Sequence, residues 1–387
     1  MVTASIDMGA EQMVMALASV ENENYHLTGV KRIASQGMSG GRVKDVEKVR
    51  GCLRTLISEL VKERSIDVLN IALSGKALGM TERRVTVPVQ RKVVEQGDLQ
   101  RAEERCRKYW NEGDDELVDL IPVAYSLDRG MGIADPLGRT AQNVEVTYQV
   151  YVAKANYLEL VRSLFDEYDI AHICFYPPAR AYAEALDAAS SPSFAVVDMG
   201  AMGIQVTLFR DGMLEYDARL PLGVRTIDMD IMRAFGVNAQ QARKLKHEYG
   251  QALRYNCKNK KVTIPDTRLT LESRDLSTVV QSRAEELLEG VVYLLQGWKF
   301  DQPEDAILLA GGGSRLQDIE CLLGHYTGHP IGKAEVKRLQ SSKAEILATP
   351  EYLVVLGLLM CHSSGDEKCR KDWKTTVGKT LKNIFGI

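Results

Sequence analysis

Near the amino terminus small and apolar residues run through VTASID, break at Met8-Gly9-Ala10 and resume in MVMALASV. Alternation on both sides of a glycine bend predicts a β-hairpin rather than a helix. The same course repeats much later. FAVVDM leads into Gly200-Ala201-Met202-Gly203 and out through IQVTLF, so IDMGA at residues 6–10 matches VDMGA at 197–201. Between the copies the period changes. Val46, Val49, Leu53, Leu56, Ile57 and Leu60 share one face at helical spacing, and DVLNIALSG reads as a buried strand. Residues 84–162 predict a small α+β module, entered through VTVPV, carrying the charged helix DLQRAEERCRKYW and closed by NVEVTYQVYVAKANY. A third glycine bend lies in AILLAGGGSRL, residues 306–316: an apolar strand meets three glycines, and DIECLLGHY continues as a helix. The charged run KNKKVTIPDTRL reads equally as an exposed hairpin or a solvated loop.

Composition adds exclusions. A chain of 387 residues has room for two domains and a large core. Apolar content of 45% with 26% charged residues is that of a soluble globular protein. The net charge of −3 lacks the basic surplus that nucleic acid would demand, so no nucleic-acid partner is expected. The seven cysteines are dispersed, with no CxxC, which suits a reducing compartment. The chain enters a strand at once, so no signal peptide is expected, and no window of about 18 apolar residues predicts a membrane span. His325 and His329 stand at i and i+4, but Gly328 and Pro330 make that segment a loop, so no metal site is expected there.

The repeated turn is where chemistry is expected. Glycine lets the main chain approach a ligand closely, and converging turn N–H groups form a concavity that favours phosphate. An aspartate ending the first strand, Asp7 or Asp198, suits a hydrated Mg²⁺. One Asp-x-Gly is an ordinary turn signature; two facing copies would clamp a polyphosphate. The strand–glycine–helix passage at Gly311, Gly312 and Gly313 is a further way to bring backbone to a nucleotide.

In this order the three glycine turns resemble the actin/Hsp70/sugar-kinase superfamily, and within it the chain resembles the FtsA family. Further residues carry that resemblance: Gly37 to Asp45 (GMSGGRVKD), Ile71 to Gly75 (IALSG), Gly132 to Gly138 (GIADPLG) and Tyr352 to Leu359 (YLVVLGLL). It covers nearly the whole chain. It implies an α/β, actin-like two-lobed ATPase fold with an inserted FtsA-type 1C subdomain and a C-terminal amphipathic helix. The implied divisions are 1A at 1–83 and 163–190, 1C at 84–162, 2A at 191–225 and 300–361, 2B at 226–299, a linker at 362–372 and a membrane-targeting helix at 373–387. The nucleotide residues implied are Asp7, Gly9, Ala10, Asp198, Gly200, Gly203, Lys246, Gly311, Gly312 and Gly313, with Mg²⁺ held through water by Asp7 and Asp198.

Several side chains depart from the family pattern. Ala10, Glu11 and Gln12 stand where active relatives place a hydroxyl residue or lysine. Met202, Gly203 and Gln205 replace a glycine, a threonine and a second aspartate. The helix that presents Glu and Lys to adenosine offers Arg243 and Lys246, and Pro177-Pro178 stands for a Glu-Pro pair. Each lost contact in a buried site is worth about 1–3 kcal/mol, so the expectation is ATP or ADP with Mg²⁺ in a weakened pocket, with hydrolysis weak or absent and no catalytic residue assigned.

The function this implies is a cell-division scaffold that polymerises, binds FtsZ through 2B, works with other divisome proteins and sits on the cytoplasmic face of the bacterial inner membrane. The alternatives are a PilM-like pilus-assembly platform and an active ATPase or sugar kinase. The 2B stretch is rich in Arg233, Arg243, Lys244, Lys246, Arg254, Lys258, Lys260, Lys261 and Arg268, a face suited to an acidic peptide or simply to solvent. In the tail, Trp373, Val377, Leu381, Ile384 and Phe385 fall on one helical face, with Lys374, Lys379 and Lys382 off it. That pattern predicts a helix lying in an anionic membrane surface.

Overall fold

The computed structural model describes residues 1–22, 24–61, 65–110, 114–130 and 132–361. The expected linker and membrane helix lie outside the described residues. Two sheets organise the chain, and each is built on a hairpin whose closing pair encloses a turn of the same length. In the first, Val2–Met8 pairs antiparallel with Gln12–Glu21, the last pair being Met8 with Met13. In the second, Phe194–Met199 pairs with Ile204–Arg210, the last pair being Met199 with Ile204. On its other edge each leading strand takes a parallel partner, Ile66–Ala72 in the first sheet and Ala306–Ala310 in the second. The repeated Asp-Met-Gly-Ala is therefore a repeated supersecondary unit, which is the two-lobed α/β architecture expected from the sequence.

The first sheet runs, in spatial order, Ile170–Tyr176, Ile66–Ala72, Val2–Met8, Gln12–Glu21, Asn24–Ala34 and Leu339–Gln340. Its central strands are covered on both faces, which is why they read as nearly continuous apolar and small residues. Helix Val46–Leu60 packs Val49, Leu53, Leu56 and Ile57 into this core, and Asp45 caps it by accepting from the Lys48 N–H at 3.1 Å. On the other face, helix Leu353–Leu358 lies against helix Pro178–Ala185. A Cβ on Gly357 would come within 2.0 Å of the Ala181 carbonyl, so glycine sets the spacing of the two helices. Two buried polar groups fasten this closing helix: Ser5 Oγ donates to the Val355 carbonyl at 2.6 Å, and Asn70 Nδ2 to that of Leu358 at 2.7 Å.

The inserted module is a three-stranded sheet with Asn143–Lys154 at its centre, flanked by Gly79–Pro88 and Asp115–Leu127. Helix Gln96–Tyr109 covers one face through Ala102 and Cys106, and the module has its own small core. In the second lobe, helices Arg225–Phe235, Ala239–Tyr249 and Ser273–Gly297 pack together over the stretch expected to be 2B. The charged run becomes the two-stranded hairpin Lys261–Thr263 with Thr270–Glu272, the first of its two sequence readings. Among the described residues, no helix is long and apolar enough to cross a membrane.

Candidate functional site

The two matched turns face each other: Asp7 of the first lies within the charge influence of Asp198 of the second, and Gly40 of the first lobe reaches Met202 of the second turn. Asp7 and Asp198 stand at equivalent positions near the ends of their leading strands. Burial, and then the nearby charge of Asp198, push the Asp7 carboxyl up to about 7. Burial raises Asp198 as well, against the hydrogen bond it accepts from the Tyr182 hydroxyl at 2.7 Å. Two buried acids, one of them raised further by the charge of the other, favour a bound cation or a retained proton, so this donor pair fits a hydrated Mg²⁺.

The third glycine turn closes on the second. Gly311 has φ +75°, and a Cβ there would fall 2.2 Å from Asp198 Oδ1; at Gly313 it would meet Met199 and Val224 side-chain atoms at 2.7 and 2.5 Å. Gly312 is different: it is exposed, and a Cβ there would meet nothing within 4 Å. Gly311 thus brings the strand end against Asp198 and Gly313 against Met199 and Val224, while the middle glycine is open.

The phosphate side is occupied by the chain's own groups. Glu11, in the first turn, accepts from Arg225 Nε at 2.6 Å, with a second contact to Arg225 Nη2. Its other oxygen pairs with Arg243 Nη2 at 2.6 Å. Arg225 begins helix Arg225–Phe235 and Arg243 lies on helix Ala239–Tyr249, so Glu11 links the first lobe to two helices of the second. Met202 makes a further crossing, its sulfur accepting from the Gly40 N–H at 3.3 Å. Lys246, expected at the adenosine, is buried and pairs with Asp228 at 2.8 Å. The metal donor set therefore fits its group, whereas the side chains facing a phosphate do not.

Sequence reasoning missed Arg225 and three further residues. Arg219, on strand Met213–Leu220, lies against Gly203 of the second turn and Gly75 of the first lobe, 2.6 Å from where each Cβ would stand. Among the described residues no carboxylate pairs with it, and burial lowers its pKa. Asp217, two residues earlier, accepts from Gln205 at 2.6 Å, Thr207 at 2.7 Å and Tyr151 at 2.8 Å. Asp119 of the inserted module accepts from Arg180 Nε at 2.9 Å and Nη2 at 3.1 Å, fastening the module to helix Pro178–Ala185. Burial opposes the Arg180 charge, but Asp119 outweighs it and raises that pKa. None of these carries a motif; the only hint was a charged residue inside an otherwise strand-like run. His329, by contrast, has both ring nitrogens near backbone carbonyls, of Asp305 at 3.2 Å and Phe300 at 3.1 Å.

Known proteins share this arrangement. Residues 195–357 match the family described as cell division protein FtsA, and residues 75–152 match the SHS2 domain inserted in FtsA. The FtsA of Escherichia coli K12 is 22% identical over 381 residues, covering 93% of this chain and 90% of its own. That of Bacillus subtilis is 19% identical over 366 residues, covering 92% and 82%. Among solved structures, the PilM-PilN type IV pilus biogenesis complex aligns with a TM-score of 0.69 at 18% identity, over 92% of this chain and 97% of that one. Spiroplasma citri MreB5 bound to AMPPNP aligns at 0.51 and 11% identity, over 99% and 98%. With the paired hairpins, the glycine-rich third turn and the inserted three-stranded module all in place, the chain belongs to the FtsA family of actin-like cell-division proteins.

Proposed function

We propose that the chain is a division scaffold that polymerises and tethers FtsZ filaments to the cytoplasmic face of the bacterial inner membrane, with a weakened nucleotide site. The observation that carries this reading is the state of the first phosphate turn: its backbone hairpin is kept, while its one charged side chain, Glu11, is held by Arg225 and Arg243. The ligand proposed is ATP or ADP with Mg²⁺, as the MreB5 relative carries AMPPNP. Backbone N–H groups of Gly9, Gly200 and Gly311 to Gly313 would hold phosphates and nucleoside, and Asp7 and Asp198 the hydrated cation. The cation would supply charge neutralisation. A hydrolytic step would also need a base beside the terminal phosphate, and none is assigned.

The inserted module, fastened at Asp119–Arg180 and Tyr151–Asp217, is proposed as the filament contact. The 2B helices and hairpin are proposed to dock FtsZ, and residues 373–387 to bind the membrane. A second reading, a PilM-like platform for pilus assembly, draws on the backbone overlap with the PilM-PilN complex, which at 18% identity speaks to fold alone. The test is the steady-state hydrolysis rate of purified full-length protein with Mg²⁺ and ATP. The scaffold reading expects negligible turnover; a rate above about 1 per second that Asp198→Ala abolishes would overturn it.

A further inference from the structure

We infer that Glu11 is a built-in anion that competes with nucleotide phosphate in this cleft and weakens its binding, and that it joins the two lobes when no ligand is bound. The inference rests on reading the cleft as a nucleotide site. Glu11 belongs to the turn that would cradle phosphate, yet its carboxylate is already shared between two guanidinium groups of the opposite lobe. The Glu11 side chain keeps only 23% of its surface exposed, against 38% for Arg225 and 46% for Arg243, so the acid is the most enclosed member of the trio.

A guanidinium presents a planar fork of donors that suits carboxylate and phosphate alike. Arg225 spends two donors on Glu11, through Nε and Nη2, and directs Nη1 to the Met202 sulfur at 3.7 Å. A phosphate entering the first turn therefore meets a negative side chain and finds both nearby arginines engaged. A single exposed ion pair is worth little, but here one acid bridges two helices and closes a three-member network. The two departures from the family pattern at these positions, an acid at 11 and a base at 243, thereby form one compensated contact between residues far apart in sequence. Arg219 stands apart from the network, beside Gly203 and Gly75, and among the described residues no carboxylate pairs with it.

The experiment compares full-length wild type with Glu11→Ala and with Glu11→Gln, which keeps the side-chain shape and so guards against a variant that fails to fold. The probe is Mg²⁺ with N-methylanthraniloyl-ATP, read by fluorescence titration. Removing the acid is expected to tighten binding roughly tenfold, the equivalent of about 1.4 kcal/mol. A gain with either variant supports the inference; no gain with both overturns it. The outcome is separate from the scaffold reading, which stands or falls on hydrolysis by the wild type.

Discussion

Tyr151, on the central strand of the inserted sheet, donates its hydroxyl to Asp217 Oδ2 of the second lobe at 2.8 Å. The ring is fully buried, and Asp217 has two further donors in Gln205 and Thr207. The inserted module is thus attached to both lobes, here and through Asp119–Arg180. Tyr151→Phe keeps the packing and removes one of three hydrogen bonds to a buried carboxylate. Chemical denaturation should show a loss of about 1–2 kcal/mol; an unchanged midpoint would mean that the other two donors suffice.

The Asp7 carboxyl sits at about 7, above its ordinary 3.8. The folded state therefore holds this proton where the unfolded chain has released it, and the stability it contributes falls as pH rises from about 4 to about 7. With chelator present, the melting temperature of Asp7→Asn relative to wild type should climb through that window and level off above it. Added Mg²⁺ at pH 8 should narrow the gap by taking the proton's place at the wild-type pair. A difference between the two proteins that is constant with pH would remove Asp7 as its source.

Neighbouring glycines should respond in opposite ways. Gly311→Ala forces a Cβ into the Asp198 carboxylate at a positive φ and should cost about 1–3 kcal/mol or more. Gly312→Ala meets open space and should leave thermal stability nearly unchanged. Equal melting temperatures for the two variants would contradict the turn geometry.

Four of the basic 2B residues are internally neutralised: Arg233 by Asp230, Arg243 by Glu11, Lys244 by Asp266 and Lys246 by Asp228. Lys258, Lys261 and Arg268, around the hairpin, have no carboxylate partner among the described residues, and Leu269 beside them is 68% exposed. Reversing these three charges to Glu should weaken FtsZ pull-down by roughly tenfold or more, since complementary charge steers and retains an acidic partner. Retention at the wild-type level would place the contact elsewhere.

The proposed membrane helix is tested by deletion. Removing residues 373–387, or changing Trp373 and Phe385 together to Glu, should abolish co-sedimentation with anionic liposomes. Each large apolar side chain at the interface contributes roughly 1.5–3 kcal/mol, and each nearby lysine about 1 kcal/mol. A truncated protein that still pellets would place the anchor elsewhere and remove the case against the PilM-like reading.

The sequence by itself determined the paired hairpins, the helix at Val46–Leu60, the inserted module and the glycine turns, because these depend on periodicity and turn chemistry among near neighbours. It left the 258–269 charge run open, and pairing between Lys261–Thr263 and Thr270–Glu272 resolved that as a hairpin. Only the tertiary structure decided the state of the cleft. Glu11 reads in sequence as a lost phosphate contact, and Arg243 as a departure at the adenosine helix. Their meeting at 2.6 Å gives each a partner that no local pattern announces. The same holds for Asp217 and Asp119. Charge pairing across a cleft depends on which distant strands and helices the fold brings together, and a local pattern carries no record of that distance.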